Sequence, residues 1–361
     1  MIISRTPYRI SFFGGGTDYP AWYRHHGGAV LAATINKYCY LTCRYLPPFF
    51  EHRFRVVYSK IEMCNSREEI VHPAVRETLG WLKMDRSMEI HHDGDLPGRS
   101  GMGSSSSFTV GLLHALYGLQ GKFVSKKQLA AESIELEQEV LQETVGSQDQ
   151  VCAAYGGLNR ITFLESGDFS VQPLTLPPDR LSELNSNLML FYTGIKRTAS
   201  EVASSYAVTL EKRAEFLRRL QSYVDESSLV LHSNSELRPF GELLHRAWEI
   251  KCSLSDKVSN STVDAIYSEA RSAGAIGGKL LGAGAGGFIL LFVPPERQAK
   301  VRKRLNRLIY VPFRFEFGGS QIIFFDREED FAEHDKERMK RKIEAFSEWT
   351  AAPSQEERLS Q

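Results

Sequence analysis

The sequence has few cysteines, and its charge is not biased toward either sign. The five cysteines are scattered and form no CxxC pair, which excludes a disulfide-stapled scaffold and predicts free thiols in a reducing compartment. The ten histidines form no HxxxH or HExxH pattern, so a structural zinc site is not expected. Lysine plus arginine and aspartate plus glutamate each number 44, so the chain lacks the basic excess of a dedicated nucleic-acid binder.

Long apolar runs are missing as well. The most apolar window, residues 280–293, is rich in glycine and too short to span a bilayer, which needs about 20 residues. The first residues, MIISRTPYRISFF, lack the basic and apolar regions of a signal peptide. We therefore expect a cytoplasmic protein that binds neither membranes nor nucleic acid.

The chain is long enough for about two domains, and 42% of its 361 residues are hydrophobic. Strand-like and helix-like segments alternate in both halves, which indicates an α+β fold with two layered domains. A proline-rich loop around residues 171–178 predicts a boundary. We expect an N-terminal domain at 1–180, a C-terminal domain at 181–326, and a charged helix or tail at 327–361.

A glycine- and serine-rich stretch at 95–107, DLPGRSGMGSSSS, carries the strongest chemical signal. It lies between a predicted strand and an apolar helix from about Phe108 to Leu119. Glycines allow tight turns and a helix N-terminus attracts anions, so the stretch predicts a cradle for a triphosphate. A flexible linker has a similar composition, but the apolar stripe of the adjoining helix must pack against something. The stretch is not a Walker A loop, and the chain has no HRD or DFG tripeptide.

Two other glycine clusters allow more than one interpretation. Residues 282–287 match GxGxxG, but a helix precedes them and a strand follows, which is the reverse of the dinucleotide-binding order. Close backbone approach to a ligand or another loop fits that cluster better. At 14–18, GGGTD follows a predicted strand and is either a simple turn or a substrate site. In the second case Asp18 would accept hydrogen bonds from substrate hydroxyls and Arg9 would supply positive charge.

A glutamate falls on the apolar face of a predicted helix at 126–144. At 100° per residue, Glu137 lies among the leucine and isoleucine side chains, whereas the other glutamates lie opposite. A buried carboxylate is costly unless it meets a cation or a metal. Glu137 would either pair with an arginine or bind magnesium together with a serine of the glycine loop.

In this order, these segments resemble the GHMP kinases. The three motifs of that family match residues 7–18, 97–107 and 279–287, and the resemblance runs from residue 5 to about 326. It implies an N-terminal domain like ribosomal protein S5 domain 2 and a ferredoxin-like C-terminal domain.

The resemblance also implies roles for individual residues. Asp149 would be the catalytic carboxylate, with Arg9 beside the attacking hydroxyl, while Ser105 and Glu137 would hold Mg²⁺. The glycines that support the phosphate loop would be Gly284, Gly286 and Gly287. The residues that bind ATP would be Pro97, Gly98, Gly101, Met102, Gly103, Ser104, Ser105 and Ser106. The residues that bind the acceptor would be Gly15, Gly16, Thr17, Asp18, Gly157, Thr193, Gly194, Lys196 and Arg197.

One departure from galactokinase concerns the acceptor. Galactokinase has Glu-His where this chain has Gly15-Gly16, which opens space and disfavours galactose. The first motif, VGSQDQ at 145–150 and FYTGIKR at 191–197 look most like the branch that phosphorylates D-glycero-D-manno-heptose 7-phosphate. Lys196 and Arg197 would hold the 7-phosphate, although ordinary surface charge explains them equally well.

This branch implies a sugar 1-kinase that uses ATP and Mg²⁺ and makes a 1,7-bisphosphate. The product would serve the synthesis of GDP-heptose and of a surface polysaccharide, such as capsule or lipopolysaccharide. A fucokinase-like enzyme is the main alternative, followed by a decarboxylase of the same superfamily and a non-catalytic sensor of ATP and sugar. The sequence leaves open whether the protein forms a homodimer.

Overall fold

A computed structural model describes residues 1–98, 100–195, 213–255, 258–282, 284, 286–327 and 330–340. Within these ranges the chain forms two β-sheets with helices packed on them. The strands are β1 (Ile2–Phe13), β2 (Gly28–Tyr45), β3 (Phe54–Val57), β4 (Ile61–Cys64), β5 (Met88–Gly94), β6 (Leu158–Phe163), β7 (Phe169–Pro173), β8 (Leu188–Tyr192), β9 (Gly277–Leu280), β10 (Phe288–Phe292), β11 (Ile309–Tyr310), β12 (Phe315–Glu316) and β13 (Gln321–Phe325).

The helices of the described ranges surround both sheets. They are α1 (Pro20–His26), α2 (Pro73–Trp81), α3 (Ser104–Leu119), α4 (Lys126–Glu135), α5 (Gln148–Tyr155), α6 (Pro178–Ser186), α7 (Ala214–His232), α8 (Arg238–Leu254), α9 (Ser261–Ala273), α10 (Pro295–Arg304) and α11 (Ala332–Met339). A 3₁₀ turn lies at Arg67–Glu69, and a π-helical turn at Leu136–Val140 follows α4 directly. None of these helices combines the length and the apolar character that a membrane crossing requires.

The first sheet is built on two long strands. Its order is β13-β1-β2-β5-β3-β4, with β6 and β12 also paired to β2, and β7 paired to β6. The sequence suggests two strands at Ala29–Ile35 and Tyr38–Tyr45, but β2 is one strand of 18 residues. It stays continuous because β1 pairs along both halves, and a register shift between Pro7 and Tyr8 absorbs the irregularity.

The second sheet has the order β11-β8-β10-β9, and all of its pairs are antiparallel. Along the chain, β8 is followed by helices, then β9 and β10, then α10, then β11. This βαββαβ succession with the outer strand returning beside the first is the ferredoxin-like arrangement. The expectation of an α+β fold with a ferredoxin-like C-terminal domain is therefore confirmed.

The end of the chain returns to the first sheet. β12 pairs with β2 and β13 pairs with β1, although the predicted division assigns both strands to the C-terminal domain. Beyond them, the carboxyl group of Asp335 on α11 accepts hydrogen bonds from the backbone nitrogen of Ser87 at 2.8 Å and from its Oγ at 2.6 Å. The predicted domain boundaries stay predictions, and the pairing shows that the fold is not divided at one point of the sequence.

An aromatic cluster joins the two sheets. Phe240 on α8 is fully buried, and its ring lies 5.5 Å from that of Phe12 and 5.2 Å from that of Phe13, at the end of β1. The Phe240 ring also lies 6.1 Å from Phe292 on β10. The edge-to-face packing of Phe240 against Phe12 and Phe13 fixes where β1 ends relative to the C-terminal domain.

We expect Phe240→Ala to reduce the free energy of unfolding by about 3–5 kcal/mol, because it leaves a cavity at this junction. Equilibrium denaturation in urea measures the loss. Phe123→Ala is the control, since Phe123 is 94% exposed and its loss is expected to change stability by less than about 0.5 kcal/mol. Equal effects of the two substitutions would contradict the assigned role of Phe240.

Candidate active site

Helix α3 begins at Ser104, directly after the glycine loop, rather than at about Phe108 as expected. The residue before it, Gly103, has a left-handed backbone with φ of +73°, which favours glycine. The serines therefore form the first helical turn instead of a loop. The backbone N–H groups of a first turn have no intrahelical acceptor, so Ser104, Ser105 and Ser106 present the positive end of α3 to an anion.

The two glycine loops touch each other backbone to backbone. A Cβ atom at Gly101 would lie 2.4 Å from the Leu281 carbonyl oxygen, and one at Gly287 would lie 2.1 Å from that of Ser100. Only glycine fits such an approach. The carbonyl oxygen of Gly287 also accepts hydrogen bonds from Thr193, at 2.9 Å from the backbone nitrogen and 2.8 Å from Oγ1. Leu281 and Gly287 thus pack directly against the glycine loop before α3, as support of that loop from the C-terminal domain would require.

Other glycines of the second loop contact flanking backbone. A Cβ atom would lie 2.6 Å from the Val258 carbonyl oxygen at Gly284, and 2.6 Å from that of Ile195 at Gly286. The supporting role assigned to Gly284, Gly286 and Gly287 stays a prediction that this packing favours.

Arg9 and Asp149 form a bidentate ion pair at the centre of the site. Arg9 Nε donates to Asp149 Oδ1 and Nη2 donates to Oδ2, each at 2.7 Å. The third arm, Nη1, donates to the Gly101 carbonyl oxygen at 2.6 Å. Arg9 is only 5% exposed, whereas the side chain of Asp149 is 24% exposed. Arg9 therefore binds the buried side of the Asp149 carboxylate, and the opposite side of the carboxylate is accessible to a ligand.

Two lysines stand close to this pair. Lys279 on β9 is buried and its Nζ donates to the Phe12 carbonyl oxygen at 2.9 Å. Lys251 on α8 donates to the carbonyl oxygens of Leu280, at 3.5 Å, and Gly282. Burial lowers the pKa of Lys251 to about 8 and lowers that of Lys279 well below its ordinary value. Burial also acts to lower the pKa of Arg9, but the Asp149 carboxylate raises it above its ordinary value.

Glu137 is completely buried, in agreement with its predicted place on the apolar face. The helix expected at 126–144 ends at Glu135, and the π-helical turn that follows carries Glu137. Its Oε2 accepts hydrogen bonds from Ser106 Oγ at 2.9 Å and from Gln150 Nε2 at 2.5 Å. Ser105, the serine expected beside Glu137, is exposed. Burial raises the pKa of Glu137 to about 8.

The surroundings of Glu137 fit a magnesium ion. Its Oε1 is buried and has no hydrogen-bond partner among the described residues, so one carboxylate oxygen is left for a ligand. The described ranges contain no cluster of three or more histidine, cysteine, aspartate or glutamate side chains suited to a metal. Mg²⁺ needs no such cluster, because it commonly takes one or two carboxylates together with nucleotide phosphates and water.

Asp18 lies in a separate buried position next to the pair. Its Oδ1 accepts from the Gly16 backbone nitrogen at 2.8 Å, and its Oδ2 accepts from Gln148 Nε2 at 2.9 Å. Burial raises the pKa of Asp18. A Cβ atom at Gly146 would lie 1.9 Å from Asp18 Oδ2, so the loop before α5 closes tightly over this carboxyl group.

The remaining predicted residues have mixed surroundings. Thr17 Oγ1 donates within the fold, to the carbonyl oxygens of Gly14 at 2.8 Å and Ala29 at 2.9 Å. The backbone nitrogen of Gly157 donates to Thr34 Oγ1 at 2.7 Å and to the Glu316 carbonyl oxygen at 2.9 Å. Hydrogen bonds therefore tie Thr17 and Gly157 into the fold.

In the segments predicted to surround the phosphates, Gly98 and Gly194 are exposed, Met102 is buried, and the Pro97 carbonyl oxygen accepts a hydrogen bond from Ser100 Oγ at 2.6 Å. Lys196 and Arg197 lie outside the described residues. All of these roles stay predictions.

Sequence reasoning missed several polar residues of the site. Gln148 and Gln150 flank Asp149, and their amides bind Asp18 and Glu137. Their nearness to Asp149 is a signal that could have found them. Ser11 lies two residues after Arg9 on β1, and the period of a strand could have placed it on the same face. Lys251 gives no signal, because its helix alternates charged and apolar residues like any amphipathic helix.

Comparison with known proteins identifies this arrangement. Residues 68–157 match the family described as GHMP kinases N terminal domain, and residues 229–311 match GHMP kinases C terminal. The chain is 29% identical over 317 residues to the D-glycero-alpha-D-manno-heptose 7-phosphate kinase of Campylobacter jejuni, covering 85% of this chain and 93% of that one. It is also 27% identical over 351 residues to the L-fucokinase/L-fucose-1-P guanylyltransferase of Bacteroides fragilis. That match covers 85% of this chain but only 36% of the longer relative.

A solved structure gives the same result for the fold. The crystal structure of a D-glycero-D-manno-heptose 1-phosphate kinase from Bacteroides thetaiotaomicron superposes with a TM-score of 0.75 at 23% identity, over 91% of this chain and all of that one. Both halves of the chain thus match the same family in sequence, and the architecture matches in structure. The chain belongs to the GHMP kinases.

Proposed function

We propose that the protein is an ATP-dependent sugar kinase that phosphorylates the anomeric hydroxyl of D-glycero-D-manno-heptose 7-phosphate. One observation carries the kinase assignment. A Cβ atom at Gly103, the residue just before α3, would lie 3.1 Å from Arg9 Cγ and 3.4 Å from Asp149 Oδ2. The N-terminus of α3 and the Asp149 carboxylate therefore lie close together. A phosphate bound at that N-terminus has an acceptor for a hydroxyl proton beside it.

The transfer needs little covalent chemistry from the protein. The oxygen of the sugar hydroxyl forms a bond to the γ-phosphorus, the bond from that phosphorus to the bridging oxygen breaks, and ADP leaves. Asp149 accepts the hydroxyl proton, and Arg9 holds the carboxylate at a fixed angle through its two N–H···O bonds. Positioning and charge neutralisation supply most of the rate enhancement in such reactions.

The other acidic and basic side chains of the site would bind Mg²⁺ and position the two glycine loops. Glu137 Oε1 and Ser106 Oγ would hold Mg²⁺, which when bound neutralises the charge that develops on the phosphates. This assignment replaces Ser105 by Ser106, since Ser106 contacts Glu137. Arg9 and Lys251 fix the carbonyl groups of Gly101 and Gly282, one in each glycine loop. Both loops are thereby held around the phosphates.

The choice of sugar rests on the relatives and on the first motif. The Campylobacter relative is named for heptose 7-phosphate, and the match covers 85% of this chain and 93% of that relative. Gly15 leaves space for a larger acceptor than galactose, whereas Gly16 is buried and packs against Leu217. The product, a heptose 1,7-bisphosphate, would enter the cytoplasmic synthesis of GDP-heptose for a surface polysaccharide. The fucokinase relative supports L-fucose as the second candidate.

An ADP-release assay with Mg-ATP tests the acceptor. The panel contains D-glycero-D-manno-heptose 7-phosphate, mannose 6-phosphate, L-fucose, galactose and mevalonate. We expect turnover of the heptose phosphate alone, with the new phosphate on carbon 1. Turnover of L-fucose in its place would contradict the heptose assignment, and carbon dioxide release alongside ADP would indicate a decarboxylase. Binding of ATP and sugar without ADP release would indicate a sensor.

We expect Asp149→Asn to lower kcat by about 10²–10⁴-fold, because the amide cannot accept the hydroxyl proton. The KM for Mg-ATP is expected to stay nearly constant, since the amide keeps an oxygen for Arg9. Steady-state kinetics measure both. The control is Asp168→Asn, which removes a surface carboxylate paired with Lys127 at 2.9 Å. A near-normal kcat for Asp149→Asn would exclude Asp149 as the proton acceptor.

Ser106→Ala and Ser105→Ala separate the two serines. We expect Ser106→Ala to raise the Mg²⁺ concentration needed for half-maximal activity by about tenfold, as one charge-assisted hydrogen bond is lost. Ser105→Ala is expected to change it by less than about twofold, since Ser105 is exposed and the hydroxyl that contacts Glu137 is that of Ser106. A magnesium titration at saturating ATP measures the difference. The opposite ranking would restore Ser105 as the metal ligand.

A further inference from the structure

Two buried polar atoms beside the first glycine motif are unpaired. Ser11 Oγ and Gln148 Oε1 have no hydrogen-bond partner among the described residues. Ser11 is 5% exposed and Gln148 is 9% exposed, so little of either residue is accessible to bulk water. Leaving buried polar atoms unpaired is costly, and native proteins retain such atoms chiefly where a ligand or an ordered water completes them.

Both residues border the space above Gly15. A Cβ atom at Gly15 would lie 3.8 Å from Ser11 Oγ and 3.9 Å from Gln148 Nε2. Gly15 itself is partly exposed, so this space is reached from outside. The amide nitrogen of Gln148 is occupied, because it donates to Asp18 Oδ2 at 2.9 Å. The amide oxygen is therefore the free end of that side chain. Any larger side chain at position 15 would cover both groups.

The same space adjoins the reacting groups. Gln148 precedes Asp149 in the first turn of α5. Ser11 follows Arg9 by two residues on β1, and the two-residue period of a strand places both on one face. Ser11 and Gln148 are thus near neighbours in sequence of Arg9 and Asp149, one on β1 and one on α5. A ligand atom next to the reacting hydroxyl would therefore contact Ser11 and Gln148.

We infer that Ser11, Gln148 and Asp18 form a subsite around Gly15 for the sugar hydroxyl next to the one that is phosphorylated. This inference rests on the proposed function and deepens it. The amide oxygen of Gln148 is an acceptor only, and the hydroxyl of Ser11 is both a donor and an acceptor. Together they match a neutral hydroxyl group, which donates one hydrogen and accepts another.

An anionic group does not fit this subsite. The Asp18 carboxyl group and the Gln148 amide oxygen both present lone pairs, which a phosphate oxygen cannot share. The phosphate group of a phosphorylated sugar must therefore bind elsewhere on the protein. The subsite selects for the hydroxyl pattern of the ring, and for an acceptor that carries two neighbouring hydroxyl groups.

Ser11→Ala and Gly15→Ala test the subsite with little disturbance of the fold. Ser11→Ala removes one unpaired hydroxyl and no hydrogen bond that the structure contains. Gly15 does not have a left-handed backbone, and the contacts of an added Cβ atom are ordinary van der Waals distances, so alanine fits there and covers both polar groups. Gln148→Met is the third variant and removes the amide oxygen together with the bond to Asp18.

Two probes are used. The first is the sugar of the panel that the wild-type enzyme turns over best. The second is its deoxy analogue, which lacks the hydroxyl next to the one that is phosphorylated. We expect Ser11→Ala, which loses one hydrogen bond to the sugar, to raise the KM of the parent sugar by about tenfold, and Gly15→Ala and Gln148→Met to raise it by at least as much. With the deoxy analogue, Ser11→Ala and Gln148→Met are expected to change KM by less than about twofold relative to wild type. The KM for Mg-ATP is expected to stay constant in all three variants.

Ser170→Ala is the matched control, because Ser170 also lies in a strand but is exposed. Equal losses with the parent sugar and the deoxy analogue would show a merely structural effect and overturn the subsite. An unchanged KM for the parent sugar in Ser11→Ala and Gly15→Ala would overturn it while leaving the proposed kinase activity intact. A wild-type enzyme that neither turns over nor binds any sugar of the panel, by calorimetry with Mg²⁺ and a non-hydrolysable ATP analogue, would overturn both.

Discussion

The ion pair between Arg9 and Asp149 is the interaction on which the rest of the site depends. It joins β1 to α5 through two hydrogen bonds of 2.7 Å, and the third arm of Arg9 holds the Gly101 carbonyl group of the phosphate loop. One buried guanidinium therefore sets the relative positions of a strand, a helix and a loop. Breaking such a pair by removing one partner typically costs about 3–5 kcal/mol, so its geometry is strongly maintained.

The first turn of α5 distributes this constraint over the whole site. Three consecutive side chains there leave the helix about 100° apart. Gln148 binds Asp18, Asp149 binds Arg9, and Gln150 binds Glu137. The proposed acceptor pocket, the proposed proton acceptor and the candidate metal ligand are thus fixed to one rigid element. A shift of α5 would displace the side chains of Gln148, Asp149 and Gln150 together. Phosphoryl transfer would therefore depend on a well-ordered N-terminus of this helix.

The sequence predicts the local features well and the long-range ones poorly. The glycine and serine stretch before an apolar helix, and Glu137 on an apolar face, follow from composition and periodicity. Which serine contacts Glu137 does not, because it depends on where α3 begins and on the π-helical turn at Leu136–Val140, which departs from the 3.6-residue period. The return of β12 and β13 to the first sheet depends on pairing over about three hundred residues, which no local pattern encodes.

The contact between the glycine loops links the two domains at the point where phosphate would bind. Gly101 and Gly282 approach so closely that a Cβ atom on Gly282 would lie 2.4 Å from the Gly101 Cα atom. Because the backbone atoms of the two loops are in close-packed contact, a displacement of the second sheet is expected to move the phosphate loop as well. Because β1 carries Arg9 and Ser11 and ends against Phe240 of the C-terminal domain, the acceptor side of the site is subject to the same displacement. Nucleotide and acceptor geometry would therefore be coupled through the domain junction as well as through Arg9, which contacts both the Gly101 carbonyl group and Asp149.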